Sequence, residues 1–358
     1  MELTDLSRYQ VIKKPIILPF SKLRKMKPLL MTQELQVVSE IDNIKYAESL
    51  AEQGLTVVPI KRVGTSSRYA HRTTFPRRVL LEMTSRCNYL CQMCPMTNLK
   101  RPTMDMPGEH YRKIVDEIDS YGVEGLWTYH LGESLLHPEF HENIEHISKK
   151  RNLGVVWMST NGVHFTKENI IRILDSNIDF INCSMHAITK ETYEAVIAKD
   201  SFDVVRGNLE EFYGLKGIVK LPRKPFLHLQ MIEQEKTKHE VDGFIERHYK
   251  CAEIVSINLL EHVTLPKNKY GLIQRERKPL RSCFRISKSD CFISSNGAVN
   301  PCDASYNGEV SFGNVNEQNL YEVWNGETRR KILELDREGR MPEIEFCSKC
   351  ADYDIDRG

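Results

Sequence analysis

The sequence predicts an α/β protein. Its core is a partial barrel of six β-α units over residues 77–270, with an extension over 1–76 and a small module over 271–358. Three observations carry this reading. Apolar runs of strand length recur at 79–84, 125–131, 154–160, 179–185, 226–232 and 254–260. Amphipathic helical patterns alternate with them. Beyond about residue 270 the alternation stops, and short strand-like pieces and a cysteine cluster take over. Near-continuous apolar strands between helices imply parallel pairing with both faces covered. An eight-fold barrel normally needs about 250 residues and these units fill roughly 190, so the expected barrel is open. In such sheets chemistry collects at the carboxyl ends of the strands.

Taken in order, residues 1–76 carry no recognisable chemical motif. Leu35, Val37, Val38, Ile41, Ile44, Ala47, Leu50 and Ala51 recur at helical spacing, Gly54 supplies a stop, and 55–60 reads as a strand. The stretch 61–78 is basic. It is either a solvated linker or a patch facing an anionic substrate or partner chain. Within the barrel, helices are expected over 106–121, ending at Gly122, and over 167–176. In the C-terminal module, Asn296-Gly297 and Asn307-Gly308 mark turns, and one helix is expected over 320–337.

The chain has 358 residues, 28% of them charged, with a formal net charge of +1. That near-neutral balance argues against a general nucleic-acid binder. No apolar run approaches the length of a membrane span, and the N-terminus lacks a secretory signal, so a cytoplasmic protein is expected. Eight of the ten cysteines fall in two clusters: 87, 91 and 94, then 283, 291, 302, 347 and 350. Spacings of two and three residues point to thiolate metal ligation rather than a disulfide framework. Cys183 and Cys251 stand alone in apolar surroundings and read as packing residues.

Cys87, Cys91 and Cys94 form a C-x3-C-x2-C array directly after the first strand. Three cysteines can hold three corners of a [4Fe-4S] cubane, leaving the fourth iron open to bind something else. Zinc with a remote histidine is the bland alternative. Further signals follow the next strands: His130-Leu131-Gly132-Glu133-Ser134, then Ser159-Thr160-Asn161-Gly162, then Asn182-Cys183-Ser184-Met185-His186. Each falls at the mouth of the same expected barrel, in order.

On these residues the chain resembles the radical S-adenosylmethionine enzymes, and 79 to about 265 resembles their partial (β/α)6, TIM-like barrel. The resemblance implies that Cys87, Cys91 and Cys94 ligate a catalytic [4Fe-4S] cluster whose open iron chelates S-adenosylmethionine. It implies that Gly132 and Glu133 engage the cofactor's amine, and that Ser159, Asn161 and Ser184 contact its ribose and carboxylate. Four positions depart from the family pattern. Leu131 replaces a glycine, Ser134 stands where proline is frequent, Met93 where an aromatic residue is usual, and His186 where aspartate is frequent. Cys283, Gly297, Cys302 and the remote pair Cys347 and Cys350 resemble the shortened, twitch form of a SPASM-type module, which implies one auxiliary [4Fe-4S] cluster. A structural zinc is the alternative there. Cys291 is either a core residue or an alternative to Cys283.

A saturated second cluster suits outer-sphere electron transfer, so the resemblance implies a net two-electron oxidation at a carbon of a sugar- or aminocyclitol-like molecule. An external one-electron donor such as flavodoxin or ferredoxin would start the cycle. His186, Tyr129, His130 and Glu261, at predicted strand ends, are candidates for taking the alcohol proton. Basic stretches at 61–78 and 274–285 could hold a phosphate or nucleotide on the substrate. Three alternatives remain. One is modification of a ribosomal peptide or protein side chain by thioether formation or epimerisation. Another is redox-neutral dehydration or epimerisation, and the last is a non-enzymatic electron carrier.

Overall fold

Side-chain alternation explains how the strands assemble. The computed structural model describes residues 16–19, 74–219, 225–248, 252, 254–259, 283–348 and 350. Its strands are β1 (Ile16–Pro19), β2 (Arg78–Leu81), β3 (Gly125–Trp127), β4 (Val155–Thr160), β5 (Phe180–Ser184), β6 (Phe226–Glu233), β7 (Ile254–Leu259), β8 (Asp290–Ile293), β9 (Ala298–Asn300) and β10 (Gly313–Asn314). They form one sheet in the order β1-β7-β6-β5-β4-β3-β2-β8-β9-β10. From β2 to β7 the six runs pair in chain order and in parallel, as a partial barrel requires. Between and after them come α1 (Gly108–Tyr121), α2 (Phe140–Ser148), α3 (Lys167–Leu174), α4 (Lys190–Ile197), α5 (Phe202–Val219) and α6 (Val241–His248).

Odd and even positions of each strand enter different clusters. Val79, Leu81, Leu126, Val156, Met158, Ile181, Leu227, Leu229, Val255 and Ile257 share one core with helical residues such as Ile114, Ile144, Ile170 and Phe212. Val155, Trp157, Phe180 and Ile254 form a second cluster on the inner face, with Trp127, Tyr129 and Phe226 packed against it. Burying each large apolar side chain stabilises by roughly 1.5–3 kcal/mol. A one-residue slip would exchange the two faces, so this burial fixes the register.

The C-terminal segment does not stand apart as its change of pattern suggests. β8 pairs in parallel with β2, Arg78 opposite Asp290, and their side chains form an ion pair at 2.7 Å. The hairpin β8-β9 turns at Gly297, φ +83°, as the Asn-Gly signal predicts. Beyond it lie α7 (Phe284–Ser287), α8 (Leu320–Trp324), α9 (Glu327–Arg337) and α10 (Glu345–Ser348). The single helix expected over 320–337 is therefore two. Asn325 stops the first by bonding the Tyr321 carbonyl at 2.8 Å and the Thr74 carbonyl at 2.9 Å. Gly326 then takes the N-cap position of α9.

Several predicted strands are shorter than their apolar runs. β2 ends at Leu81, just before Glu82 with its buried ion pair to Arg101, and β3 ends at Trp127. In the basic stretch, Arg77 and Arg78 are committed to Glu124 and Asp290, which removes them from any anion-binding patch. The helix expected within 35–51, the strand at 55–60, most of the basic stretches, Cys251 and Glu261 lie outside the described residues. No helix among the described residues is long and apolar enough to cross a membrane.

Candidate active site and second thiol cluster

The loop after β2 carries Cys87, Cys91 and Cys94 and is held from two sides. Tyr89 reaches α4 through a 2.9 Å hydroxyl contact with Tyr193, and the Gln92 amide donates to the Val196 carbonyl. On the other side the Glu133 amide donates to the Arg86 carbonyl at 2.8 Å. Gly132 permits that approach. A Cβ there would overlap the Thr84 carbonyl oxygen and come within 2.9 Å of the Arg86 carbonyl oxygen, both backbone atoms that cannot yield. Thus the glycine-glutamate turn and the cysteine loop dock backbone to backbone.

Glu133 is 2% exposed and accepts from the amides of Asn161 (2.6 Å) and Leu135 (3.3 Å). Burial nonetheless pushes its carboxyl up to about 7. Asn161 donates from its side chain to Asn88 (2.7 Å) and, weakly, to the Cys87 sulfur (3.9 Å). Cys87, Glu133 and Asn161, far apart in sequence, thus meet in one network. Burial also raises all three thiols, Cys87 to about 11. Every acid in this site is shifted in the direction that a nearby positive charge would reverse. An iron–sulfur core and the ammonium of S-adenosylmethionine both fit that need.

Cys283, Cys302, Cys347 and Cys350 line one cavity, together with Ile286, Val310, Met341 and Phe346. Burial raises Cys283 to about 11 and Cys347 to about 12, and lifts Cys302 well above the ordinary thiol range. The buried Asp336 carboxylate accepts from the Cys283 amide. Cys291 lies off this cavity, fully buried on the helix-facing side of β8, as a packing residue would. Cys183 is likewise buried in the main core. All nine described cysteines are free thiols. No three His, Cys, Asp or Glu side chains among the described residues converge closely enough for a single metal ion.

The two thiol sets are joined by the segment after Cys94. The Lys100 amide donates to Asn307 Oδ1 (2.7 Å), and Arg101 Nε to the Tyr306 carbonyl (2.7 Å). Arg101 Nη2 meets both oxygens of Glu82 at 2.6 and 2.8 Å, and Glu82 also accepts from the amides of Ser295 and Leu131. His130 bridges the same junction, its Nε2 3.1 Å from the Asp303 carbonyl oxygen. Sequence reading missed this hub, since Glu82 and Arg101 belong to no recognisable motif.

Of the proposed proton acceptors, His186 is poorly placed. Its Nδ1 accepts from the Ile232 amide at 3.2 Å, and burial lowers its pKa to about 4. A neutral ring with that nitrogen engaged has no lone pair left for a substrate. His186 holds φ +61°, a conformation that histidine, asparagine and aspartate tolerate better than most residues, which accounts for its place at this turn. Tyr129 lies on the inner face against Trp157 and its neighbours, where burial raises its phenol. Ser159 accepts from Asn182 Nδ2 at 3.1 Å, and Ser184 ends β5 on the same face. At the departures from the family pattern, Met93 is buried in the main core and Ser134 Oγ donates to the Thr128 carbonyl.

Comparison with known proteins agrees with this architecture. Residues 81–220 match the Radical SAM superfamily, and residues 283–351 match SPASM, an iron-sulfur cluster-binding domain. The S-adenosyl-L-methionine-dependent 2-deoxy-scyllo-inosamine dehydrogenase of Niallia circulans is 20% identical over 77% of this chain and 92% of its own length. The crystal structure of that protein, BtrN, in complex with AdoMet and 2-DOIA superposes with a TM-score of 0.52 at 18% identity, covering 77% of this chain and 93% of that one. SuiB of Streptococcus suis, bound to the precursor peptide SuiA, gives 0.55 at 12% identity, covering 79% of this chain and 77% of that one. A tungsten-containing aldehyde ferredoxin oxidoreductase cofactor-modifying protein of Pyrococcus furiosus is 29% identical, but the match spans only 30% of either chain.

Proposed function

The chain is a radical S-adenosylmethionine enzyme with a C-terminal iron–sulfur module, and on that premise we propose that it carries out a net two-electron oxidation at a carbon of a small, hydroxylated molecule of the sugar or aminocyclitol class. The observation that carries this reading is the cavity lined by Cys283, Cys302, Cys347 and Cys350. Four thiolates saturate a cubane and leave no iron open, so what such a site offers is an electron acceptor. The 95–101 segment ties it to the three-thiol loop. When bound, the three-thiolate cluster and S-adenosylmethionine supply a radical able to take hydrogen from carbon, and the second cluster supplies a sink for the remaining electron.

The chain's own residues do the rest. Cys87, Cys91 and Cys94 are the proposed ligands of the first cluster. Glu133, held by Asn161 and Leu135, receives the cofactor's amine, whose charge returns the carboxyl toward its ionised form. Ser159, Asn161 and Ser184 orient the ribose and carboxylate. Helices cover the outer face of the sheet, and β8 flanks the strand that feeds the cysteine loop. The first electron comes from an external donor of the flavodoxin or ferredoxin type. The relationship to a cyclitol dehydrogenase over 77% of this chain and 92% of that protein supports this substrate class.

Anaerobically reconstituted enzyme, reduced with dithionite, should form 5′-deoxyadenosine from S-adenosylmethionine. With 2-deoxy-scyllo-inosamine or a related cyclitol it should release one ketone per cleavage event. Cleavage with peptide substrates alone, or cyclitol epimerised or dehydrated without a carbonyl product, would overturn the dehydrogenase reading while leaving the class intact.

A further inference from the structure

Three buried polar atoms without partners lie together on the inner face of the barrel. Trp157 Nε1, Asn182 Oδ1 and His228 Nδ1 each lack a hydrogen bond, and Trp157 and Asn182 are each only 8% exposed. Buried polar groups are nearly always paired, so three exceptions in one place ask for a common cause. Strand pairing puts them together: Asn182 stands opposite His228, and Trp157 is opposite Phe180, two residues before Asn182. The Trp157 and His228 rings meet edge to face with centroids 6.2 Å apart. Each remaining polar atom is anchored, with Asn182 Nδ2 on Ser159 and His228 Nε2 on Ser256 at 2.6 Å. An amide flip or a change of imidazole tautomer still leaves one atom of each residue unused.

Two features describe what these atoms would take. Beside them Trp157 stacks on Phe180 with centroids 4.2 Å apart, so the three polar atoms sit in apolar, aromatic surroundings. The inner positions of β4 to β7 also contain no Lys, Arg, Asp or Glu. A phosphate or nucleotide would find no cation among these positions. We infer that Trp157, Asn182 and His228 form the recognition site for a hydroxyl-bearing ring that carries no phosphate, with Ser159 and Ser256 holding the Asn182 and His228 side chains in place. This rests on the substrate class proposed above and identifies the atoms that read its hydroxyl groups. Asn182 Oδ1 accepts from one hydroxyl, Trp157 Nε1 donates to another, and His228 Nδ1 serves either role.

Calorimetric titration of anaerobic holoenzyme saturated with S-adenosylmethionine tests the assignment, with myo-inositol, 2-deoxy-scyllo-inosamine and myo-inositol 1-phosphate as probes. Wild type should bind the first two more tightly than the phosphate. Asn182→Leu, His228→Asn and Trp157→Phe should each weaken them about fivefold or more, the affinity worth of one hydrogen bond. Trp157→Phe preserves the ring stack, so it carries the test should Asn182→Leu lose its iron. If wild type binds and oxidises a cyclitol while all folded variants retain its affinity, the three atoms bind only buried water and the inference fails alone. A loss confined to S-adenosylmethionine affinity, or preferred binding of the phosphate, would also overturn it. If wild type binds none of the probes, the substrate class itself is wrong.

Discussion

Replacing Arg101 by methionine should damage this protein far more than its distance from any catalytic motif suggests. Glu82 is fully buried and Arg101 only 3% exposed at its side chain. The Arg101→Met change leaves Glu82 with two amide donors, Ser295 and Leu131, and no permanent counter-charge, only His130 Nδ1 at 3.9 Å. Removing one partner of such a pair costs about 3–5 kcal/mol, against a total stability of roughly 5–15 kcal/mol. Because Arg101 also bonds Ser295 and Tyr306, both thiol sets should lose iron together. The sharper expectation concerns the double variant. Glu82→Gln removes the stranded charge and keeps an acceptor for the two amides, so adding it to Arg101→Met should restore about 1–3 kcal/mol. Urea unfolding of anaerobic protein followed by circular dichroism, with iron analysis at each step, measures both effects. A single variant costing under about 1 kcal/mol, or a double variant no more stable than the single, would refute the charge argument.

Other outcomes follow from the same geometry. Anaerobically prepared protein should carry about eight irons, falling to about four when Cys87, Cys91 and Cys94 become alanine, while Cys291→Val should leave the count unchanged by the same iron assay. Gly132→Ala should push the glutamate turn off the cysteine loop and cost about 1–3 kcal/mol, with weaker S-adenosylmethionine binding in equilibrium dialysis. His186 stays neutral in the fold until pH about 4, whereas unfolded chains protonate histidine near 6.5. Its stabilising contribution is therefore complete above 6.5 and lost as pH falls toward 4, at up to about 1.4 kcal/mol per pH unit. His186→Asn should flatten that acid-side slope, read from urea midpoints at pH 7, 6 and 5.

The order of the six parallel strands was legible because periodicity and strand-end signals are local, and the match of motif to strand end agreed at four successive positions. What escaped was non-local. β8 reads as part of a separate module, yet it completes the sheet beside β2, a pairing that nothing within a few residues of either strand announces. The Glu82–Arg101 pair is invisible for the same reason, as two charges nineteen residues apart become partners only once the loop folds back. The inner polar atoms were closer to view. Phe180-Ile-Asn-Cys-Ser184 and Phe226-Leu-His-Leu-Gln230 alternate inner and outer residues. Reading the second as a continuous apolar run hid His228, while Asn182 entered only as the first residue of a strand-end signal. The break at Asn325-Gly326 was written in residue type, since both favour helix ends over helix interiors.

The parallel seat of β8 beside β2 also bears on biosynthesis. Residue 290 emerges from the ribosome 212 residues after its partner Arg78. At ordinary elongation rates that is a delay on the order of 10–40 s. During that interval the strand feeding the cysteine loop has one naked edge, open to adhesion with other nascent polypeptides. The strand that feeds the cysteine loop therefore gains its β8 neighbour only once residues 290–293 have been made.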